Sequence, residues 1–145
     1  MAADPVGRVA LMSLHPEFAS AILTGRKTVE FRKRRVAPDV THVLIYATHP
    51  VGAVVGIFEI AGQTTAAPTE LWHQFRDVGG LTCGRFFDYF AGCTAGTGIR
   101  VGSVRSFDRS MPLRETVGLG RPPQSVQYLD DVQASRALAL CDVFV

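Results

Sequence analysis

Two apolar segments joined by a short turn constrain the fold of this chain most. Residues 43–47 are continuously apolar, and residues 53–60 form a second segment of strand character. The turn between them, residues 49–52, contains a proline and a glycine, so the two segments are expected to form a hairpin at the centre of a sheet. Gly56 inside the second segment indicates a bulge or the close approach of another backbone.

The region before this hairpin alternates between strand and helix. Residues 9–14 form an apolar segment of strand length, and Pro16 suits the first position of a helix. One buried face of that helix is predicted by the spacing of Phe18, Ala21 and Ile22. Gly25 is expected to end the helix in the left-handed conformation, after which a strand begins.

That strand has one chemically distinct face. From residue 27 onward the period is two, which places Val29 and Phe31 on one face. The opposite face carries Thr28, Glu30 and Arg32. We therefore expect an apolar side that packs on the core and a polar side that is available to a ligand.

Two short helices are predicted in the middle of the chain. Apolar residues repeat at helical spacing over residues 71–78 and again over residues 83–90, and glycines follow each segment. Trp72 lies on the first apolar stripe and Cys83 on the second. Both are expected in the core, which favours a structural thiol over a nucleophile at Cys83.

The C-terminal third is less regular. Residues 99–104 have strand character with a change of phase, which indicates a bulge at Gly102. Glycine and proline make regular structure unexpected over residues 110–123, residues 136–140 are compatible with a helical turn, and the apolar residues 142–145 are expected to dock or to pair as an edge. Strands interrupted by a few helices predict a small α+β domain with a mostly β core.

Composition limits the class of protein. The chain has 145 residues, 47% of them hydrophobic and 19% charged, which fits one globular domain. The net charge of +2 does not by itself indicate a nucleic-acid-binding protein. Its distribution is informative, because six of the fifteen basic residues lie between Arg26 and Arg35, where Glu30 is the only acid.

Several common sites are not predicted. Residues 25–28 lack the glycine and lysine spacing of a phosphate-binding loop, and the glycines between residues 92 and 98 precede a strand instead of opening a helix. Three cysteines without a C-x-x-C pair and four dispersed histidines predict neither a metal site nor a disulfide framework. No cofactor is expected. The N-terminal residues lack the apolar run of a signal peptide, so a soluble, cytoplasmic protein is expected.

The basic segment is the candidate site. Lys33, Arg34 and Arg35 are equally compatible with a solvated strand edge that prevents aggregation. Lys27 and Glu30, three residues apart, fit that interpretation less well, because a carboxylate among several cations can orient Lys27 or Arg32. Such a cluster suits an anionic or amide-bearing ligand.

Four segments, in order, resemble the ASCH domain family. They are residues 11–18, residues 22–34, residues 46–50 with 54–56, and residues 122–125 with Tyr128 and Leu129. The central segment contains a Gly-x-Lys-x-x-Glu-x-Arg pattern at residues 25–32. The resemblance assigns residues 8–129 to an ASCH domain, with residues 130–145 as a C-terminal extension.

The resemblance implies a PUA-like, mostly β barrel with short helices packed at its ends, and RNA as a partner in translation or transcription-linked regulation. The implied pocket consists of Ser13, His15, Lys27, Glu30, Arg32, Thr48 and His49. The residues expected to bind RNA are Arg26, Lys27, Arg32, Lys33, Arg34 and Arg35. His15 and His49 stand where relatives carry a lysine and a small polar residue, which makes the charge of the pocket dependent on pH.

An enzymatic alternative remains open. Relatives that act as amidohydrolases on acetylated cytidine carry a threonine nucleophile at the position of Glu30, so that activity does not transfer directly to this chain. Other members of the family are ribonucleases. Lys27 and Glu30 are then the candidate catalytic pair, because the 2′-OH of RNA supplies its own nucleophile and only proton transfer and charge stabilisation are required.

Overall fold

A computed structural model describes residues 6–141 of the chain. The strands are β1 (Arg8–Leu14), β2 (Val29–Arg32), β3 (Val40–Ala47), β4 (Ala53–Ala66), β5 (Gly96–Met111) and β6 (Val126–Tyr128). The helices are α1 (Pro16–Leu23), α2 (Pro68–Phe75), α3 (Cys83–Tyr89), α4 (Leu113–Val117) and α5 (Asp131–Cys141). None of the helices described is long and apolar enough to cross a membrane.

The six strands form one mixed sheet in the order β2-β5-β4-β3-β1-β6. Neighbouring strands are antiparallel except β1 and β3, which are parallel and are connected through α1 and β2. The sheet curls into a half-barrel with short helices around it. The predicted α+β class with a mostly β core is confirmed.

The hairpin of β3 and β4 forms as predicted, and β4 continues to residue 66, beyond the predicted end at residue 60. Gly56 combines both expected features. The register with β5 shifts beside it, and a Cβ there would lie 2.7 Å from the backbone carbonyl oxygen of Arg105 in β5. The bulge at Gly102 is also confirmed, because β5 has one extra residue between the pairs Phe58–Val104 and Ile60–Val101. Such bulges increase local twist and bend a strand, which helps the sheet to curl.

Three apolar clusters hold the elements together. The alternation of β1 divides two of them: Ala10, Met12 and Leu14 face a cluster with α1, whereas Val9 and Leu11 face a cluster with α4 and α5. The third cluster is aromatic and joins β2 to α2 and α3. Its buried members are Val29, Phe31, Leu71, Phe75, Phe86 and Phe90. This third cluster fixes β2, with its basic residues, against α3.

The structure corrects the expectation for Cys83 and refines the one for Trp72. Cys83 is exposed, because it occupies the first turn of α3 directly after the N-cap Thr82, while the buried face of that helix is provided by Phe86 and the following Phe90. Trp72 is half-buried and packs against the aromatic cluster.

The region at residues 110–123 also differs, since it contains α4. Pro112 stands immediately before this helix, and Gly118 ends it with a φ of +77°. The proline and glycine therefore mark the boundaries of a helix where irregular structure was expected. The predicted helical turn at residues 136–140 belongs to the longer α5, whose Ala137 and Leu138 are buried. The prediction for residues 142–145 falls outside the described residues.

Candidate functional site

A cavity of about 570 Å³ opens between the end of β1, β2, α1 and α3. We call it the site cavity. Five residues of the predicted pocket line it: Ser13, His15, Lys27, Glu30 and Arg32. The other lining residues are Leu14, Phe18, Phe31, Leu81, Arg85, Asp88, Tyr89 and Gln124. The site cavity thus combines apolar walls with charges of both signs.

Lys27 is the most deeply buried charged side chain of the cavity, with 2% of its surface exposed. The turn after α1 positions it: Gly25 adopts a φ of +82°, and the Lys27 amide donates to the Ala21 carbonyl at 3.0 Å. Its Nζ donates to the Gly79 carbonyl and lies 3.3 Å from Glu30 Oε1. Burial lowers the pKa of Lys27, and the neighbouring Glu30 opposes that shift.

Glu30 lies between two cations. One carboxylate oxygen faces Lys27, and the other lies 3.0 Å from Arg32 Nε. The Nε–H is not aligned for a hydrogen bond, so this second contact is an ion pair only. The strand period explains the arrangement, because Glu30 points away from the aromatic cluster that holds Val29 and Phe31.

Arg32 connects the two edges of the sheet. One of its terminal nitrogens donates to Ser125 Oγ at 2.8 Å, and the other donates to the Ser13 carbonyl at 3.1 Å. Ser125 immediately precedes β6, whereas Arg32 ends β2, at the opposite edge of the sheet. The same side chain therefore lines the site cavity and bridges the gap in the half-barrel.

The rim of the site cavity is more exposed. Arg85 pairs with Glu17 at 3.0 Å and lies over the ring of Phe18. His15 is exposed at the start of α1, with its ring centroid 6.0 Å from that of Phe18. Tyr89 also lines the cavity, and burial raises the pKa of its hydroxyl.

A second depression of about 400 Å³ adjoins the site cavity and shares Arg32 and Tyr89 with it. We call it the basic groove. Its remaining lining residues are Lys33, Arg34, Arg35, Val36, Ser125, Val126 and Tyr128. With Arg32 and Tyr89 included, the groove has nine lining residues, of which four are cations and none is an acid. Most of the residues predicted to bind RNA are therefore gathered here.

Three predicted residues lie elsewhere. Thr48 and His49 were expected in the pocket, but neither lines the site cavity. The Thr48 amide still donates to the Leu14 carbonyl beside β1, and a turn closed by Val51 then leaves His49 exposed to solvent. Arg26 is exposed at the end of α1, where its Nε donates to Thr24 Oγ1, and it lines neither depression.

Sequence reasoning missed the cavity residues of α3 and of the segment before β6. Arg85 and Asp88 alternate with the phenylalanines of α3, so their helical positions could have indicated a polar face toward the site. Gln124 and Ser125 carry no such signal, because only the folded chain brings them beside Arg32.

The curled mixed sheet, its short helices and the charged cavity at one end define a PUA-like domain. Residues 12–89 match the model of the ASCH domain family, and the chain belongs to that family. The matched segment contains the Lys27, Glu30 and Arg32 cluster.

The chain is similar over nearly its whole length to ASCH proteins of Zymomonas mobilis. It is 31% identical over 140 residues to an ASCH domain-containing ribonuclease of Zymomonas mobilis, a match that covers 94% of each chain. A crystal structure of the ASCH protein from that organism is 32% identical, with a TM-score of 0.83, and the match covers 91% of this chain and 94% of that one. A single-residue variant of the Zymomonas protein has a TM-score of 0.84 at 30% identity, and the match covers 94% and 98%.

Proposed function

We propose that this protein binds single-stranded RNA, accepts one nucleotide in the site cavity and cleaves the strand there as a ribonuclease. The observation that carries the proposal is the buried pair of Lys27 and Glu30, joined by the half-buried Arg32, in a cavity of about 570 Å³ that adjoins a groove of cations. The similarity to a ribonuclease over 94% of the chain supports it. A cytoplasmic location and a role in regulating translation or transcription stay predictions of the sequence.

The chemistry of the site suits a nucleotide of RNA. Proteins that recognise RNA through a pocket bind single-stranded nucleotides, because the bases of a single strand can leave the stack and enter a cavity. The apolar side chains of Leu14, Phe18 and Phe31 provide contact for a base, and the charged groups provide partners for its polar edge and for phosphate. The exposed cations of the adjoining basic groove then hold the backbone of the strand.

Cleavage needs only groups that the site cavity contains. The ribose 2′-OH attacks the neighbouring phosphorus, its proton passes to the Glu30 carboxylate, and the bond from phosphorus to the 5′-oxygen breaks. Lys27 donates a proton to the departing 5′-oxygen, a role that its lowered pKa favours. Arg32 stabilises the negative charge on the phosphate oxygens. The products are a 2′,3′-cyclic phosphate and a free 5′-hydroxyl.

A cleavage assay with matched substrates tests the proposal. Purified protein is incubated with a single-stranded RNA of mixed sequence and with DNA of the same sequence, and the ends of the products are determined by mass spectrometry. We expect cyclic phosphate ends from the RNA and intact DNA, since DNA lacks the 2′-OH. Acetylated cytidine in a parallel reaction tests the amidohydrolase alternative.

Variants separate this activity from contamination. Glu30→Gln and Lys27→Met preparations, purified in the same way, should bind or cleave the RNA much more weakly than the unsubstituted protein. Equal cleavage by all three preparations, or cleavage of the DNA, contradicts the proposed mechanism. Binding that depends on Lys27 without any cleavage would retain the RNA-binding part of the proposal and remove the catalytic part.

A further inference from the structure

We infer that the basic groove is a second nucleotide subsite, in which the ring of Tyr128 stacks on the base next to the one in the site cavity while Arg34 and Arg35 contact its phosphate. This inference rests on the proposed function and deepens it. With two subsites the preferred ligand is a strand of at least two consecutive nucleotides. A single cavity would bind a free mononucleotide equally well.

The first argument is continuity. Arg32 and Tyr89 line both the site cavity and the basic groove, so the two depressions meet at these side chains. A strand that places one nucleotide in the cavity would therefore pass over these two side chains to reach the groove. The groove follows the gap between β2 and β6, and residues 33–35 extend along it directly from the end of β2.

The second argument is the character of Tyr128. It is one of the few large apolar side chains exposed in the described part of the chain, with 41% of its surface open to solvent. Its position is nevertheless fixed, because the Ala37 amide donates to its hydroxyl at 3.0 Å and the Arg8 guanidinium lies 4.4 Å from the ring centroid. Arg8 is itself held by Asp39 at 2.7 Å. A ring that is exposed and yet held in place is a platform for base stacking.

The third argument is the sign of the charge. Lys33, Arg34 and Arg35 are exposed, and none of the groove's lining residues is an acid. Lys33 also lies 5.2 Å from the ring centroid of Tyr89, at the junction with the site cavity. Cations interleaved with aromatic rings are the pattern of surfaces that track a single-stranded backbone without reading its sequence. The subsite is therefore expected to tolerate any base.

The experiment compares one nucleotide with several. The affinity of the full chain for a fluorescein-labelled single-stranded RNA hexamer of random sequence is measured by anisotropy, with each 2′-OH methylated so that the strand cannot be cleaved. The affinity for the four nucleoside monophosphates is measured by NMR titration. Tyr128→Ala should weaken hexamer binding about tenfold, the size typical of losing one stacked base, and should leave monophosphate binding unchanged. Tyr128→Phe, which keeps the ring, should bind the hexamer within about twofold of the unsubstituted protein.

A cross-linking readout does not depend on the variants. Ultraviolet irradiation of the complex with a hexamer that contains 4-thiouridine should attach RNA to a peptide that includes Tyr128. If Tyr128→Ala binds the hexamer as tightly as the unsubstituted protein while Lys27→Met does not bind, the second subsite is disproved and the proposed function stands. If the unsubstituted protein binds neither hexamer nor monophosphates, both proposals fail.

Discussion

The site cavity and the basic groove are neighbours that use charge in opposite ways. In the cavity, Lys27 and Glu30 are both buried and paired, and Arg32 completes the set. In the groove, the cations from residues 33 to 35 are exposed and have no acid among the lining residues. Buried paired charges require an exact partner, whereas exposed cations act at long range and are screened by salt. Under the proposed function, the cavity selects a nucleotide and the groove attracts the strand.

The most severe test of this division is Lys27→Met. The substitution keeps the length and apolar stem of the side chain and removes its charge and its hydrogen bond to the Gly79 carbonyl. Glu30 keeps Arg32 as a partner, so the fold should persist. We expect cleavage of RNA to fall by about 100-fold or more, as for loss of a general acid. The cleavage rate is measured beside the melting temperature, and full activity in a folded variant would remove Lys27 from the site.

Glu30→Gln distinguishes a pocket residue from a surface charge. If Glu30 orients Lys27 and Arg32, its neutral isostere should weaken RNA binding by roughly 1.5 to 3 kcal/mol, the range for a hydrogen bond to a charged group. If Glu30 only repels the backbone, the variant should bind RNA more tightly, because the protein gains net positive charge. Affinity for one oligonucleotide decides the sign, and an unchanged melting temperature shows that the fold is intact.

The salt dependence of RNA binding tests the role of the basic groove. Each phosphate contact with a single strand contributes about 0.7 to the slope of log affinity against log salt. Because Arg34 and Arg35 together hold one phosphate in the proposed subsite, Arg34→Gln with Arg35→Gln should lower the slope by about 0.7. The matched control is Arg76→Gln with Arg109→Gln, which changes the net charge equally at residues that line neither depression. RNA titrations at four salt concentrations should give a smaller slope for the groove double variant than for the control double variant. Equal slopes would show that the groove does not hold the strand.

The smallest expected effect is the shift in the pKa of the Lys27 side chain. The chain has only two lysines, Lys27 in the cavity and Lys33 in the groove, so their NMR signals can be assigned with one variant. Burial should make the Lys27 signal titrate below the ordinary value of 10.5. Between that lowered pKa and 10.5 the unfolded chain binds more protons, so the free energy of unfolding should rise with pH. A Lys27 signal that titrates at or above 10.5 would contradict its burial.

The sequence patterns that succeeded are local. The hairpin, α1 and the two faces of β2 follow from periods and turn residues that lie within about ten positions of each other. The identity of Lys27 and Glu30 as neighbours also follows from a spacing of three. Helix α4 was missed for a local reason, since the proline before it and the glycine after it were interpreted as breakers and not as boundaries.

What could not be predicted depends on long-range contacts. Arg32 and Ser125 are separated by 93 positions, and no periodic pattern relates them. Tyr128 was visible in the sequence only as part of a family segment, and its role in the groove appears once β6 pairs with β1. Cys83 has the spacing of a core residue, yet its place in the first turn of α3 leaves it exposed.

The bridge made by Arg32 joins the lining of the site cavity to the closure of the half-barrel. The guanidinium donates hydrogen bonds to the Ser125 hydroxyl and the Ser13 carbonyl and forms an ion pair with the Glu30 carboxylate, three contacts that its planar group makes at once. A lysine is a single point charge on a flexible stem and cannot satisfy all three groups together. Arg32 therefore belongs both to the site cavity and to the bridge between the two edges of the sheet. A substitution at this position would change both together.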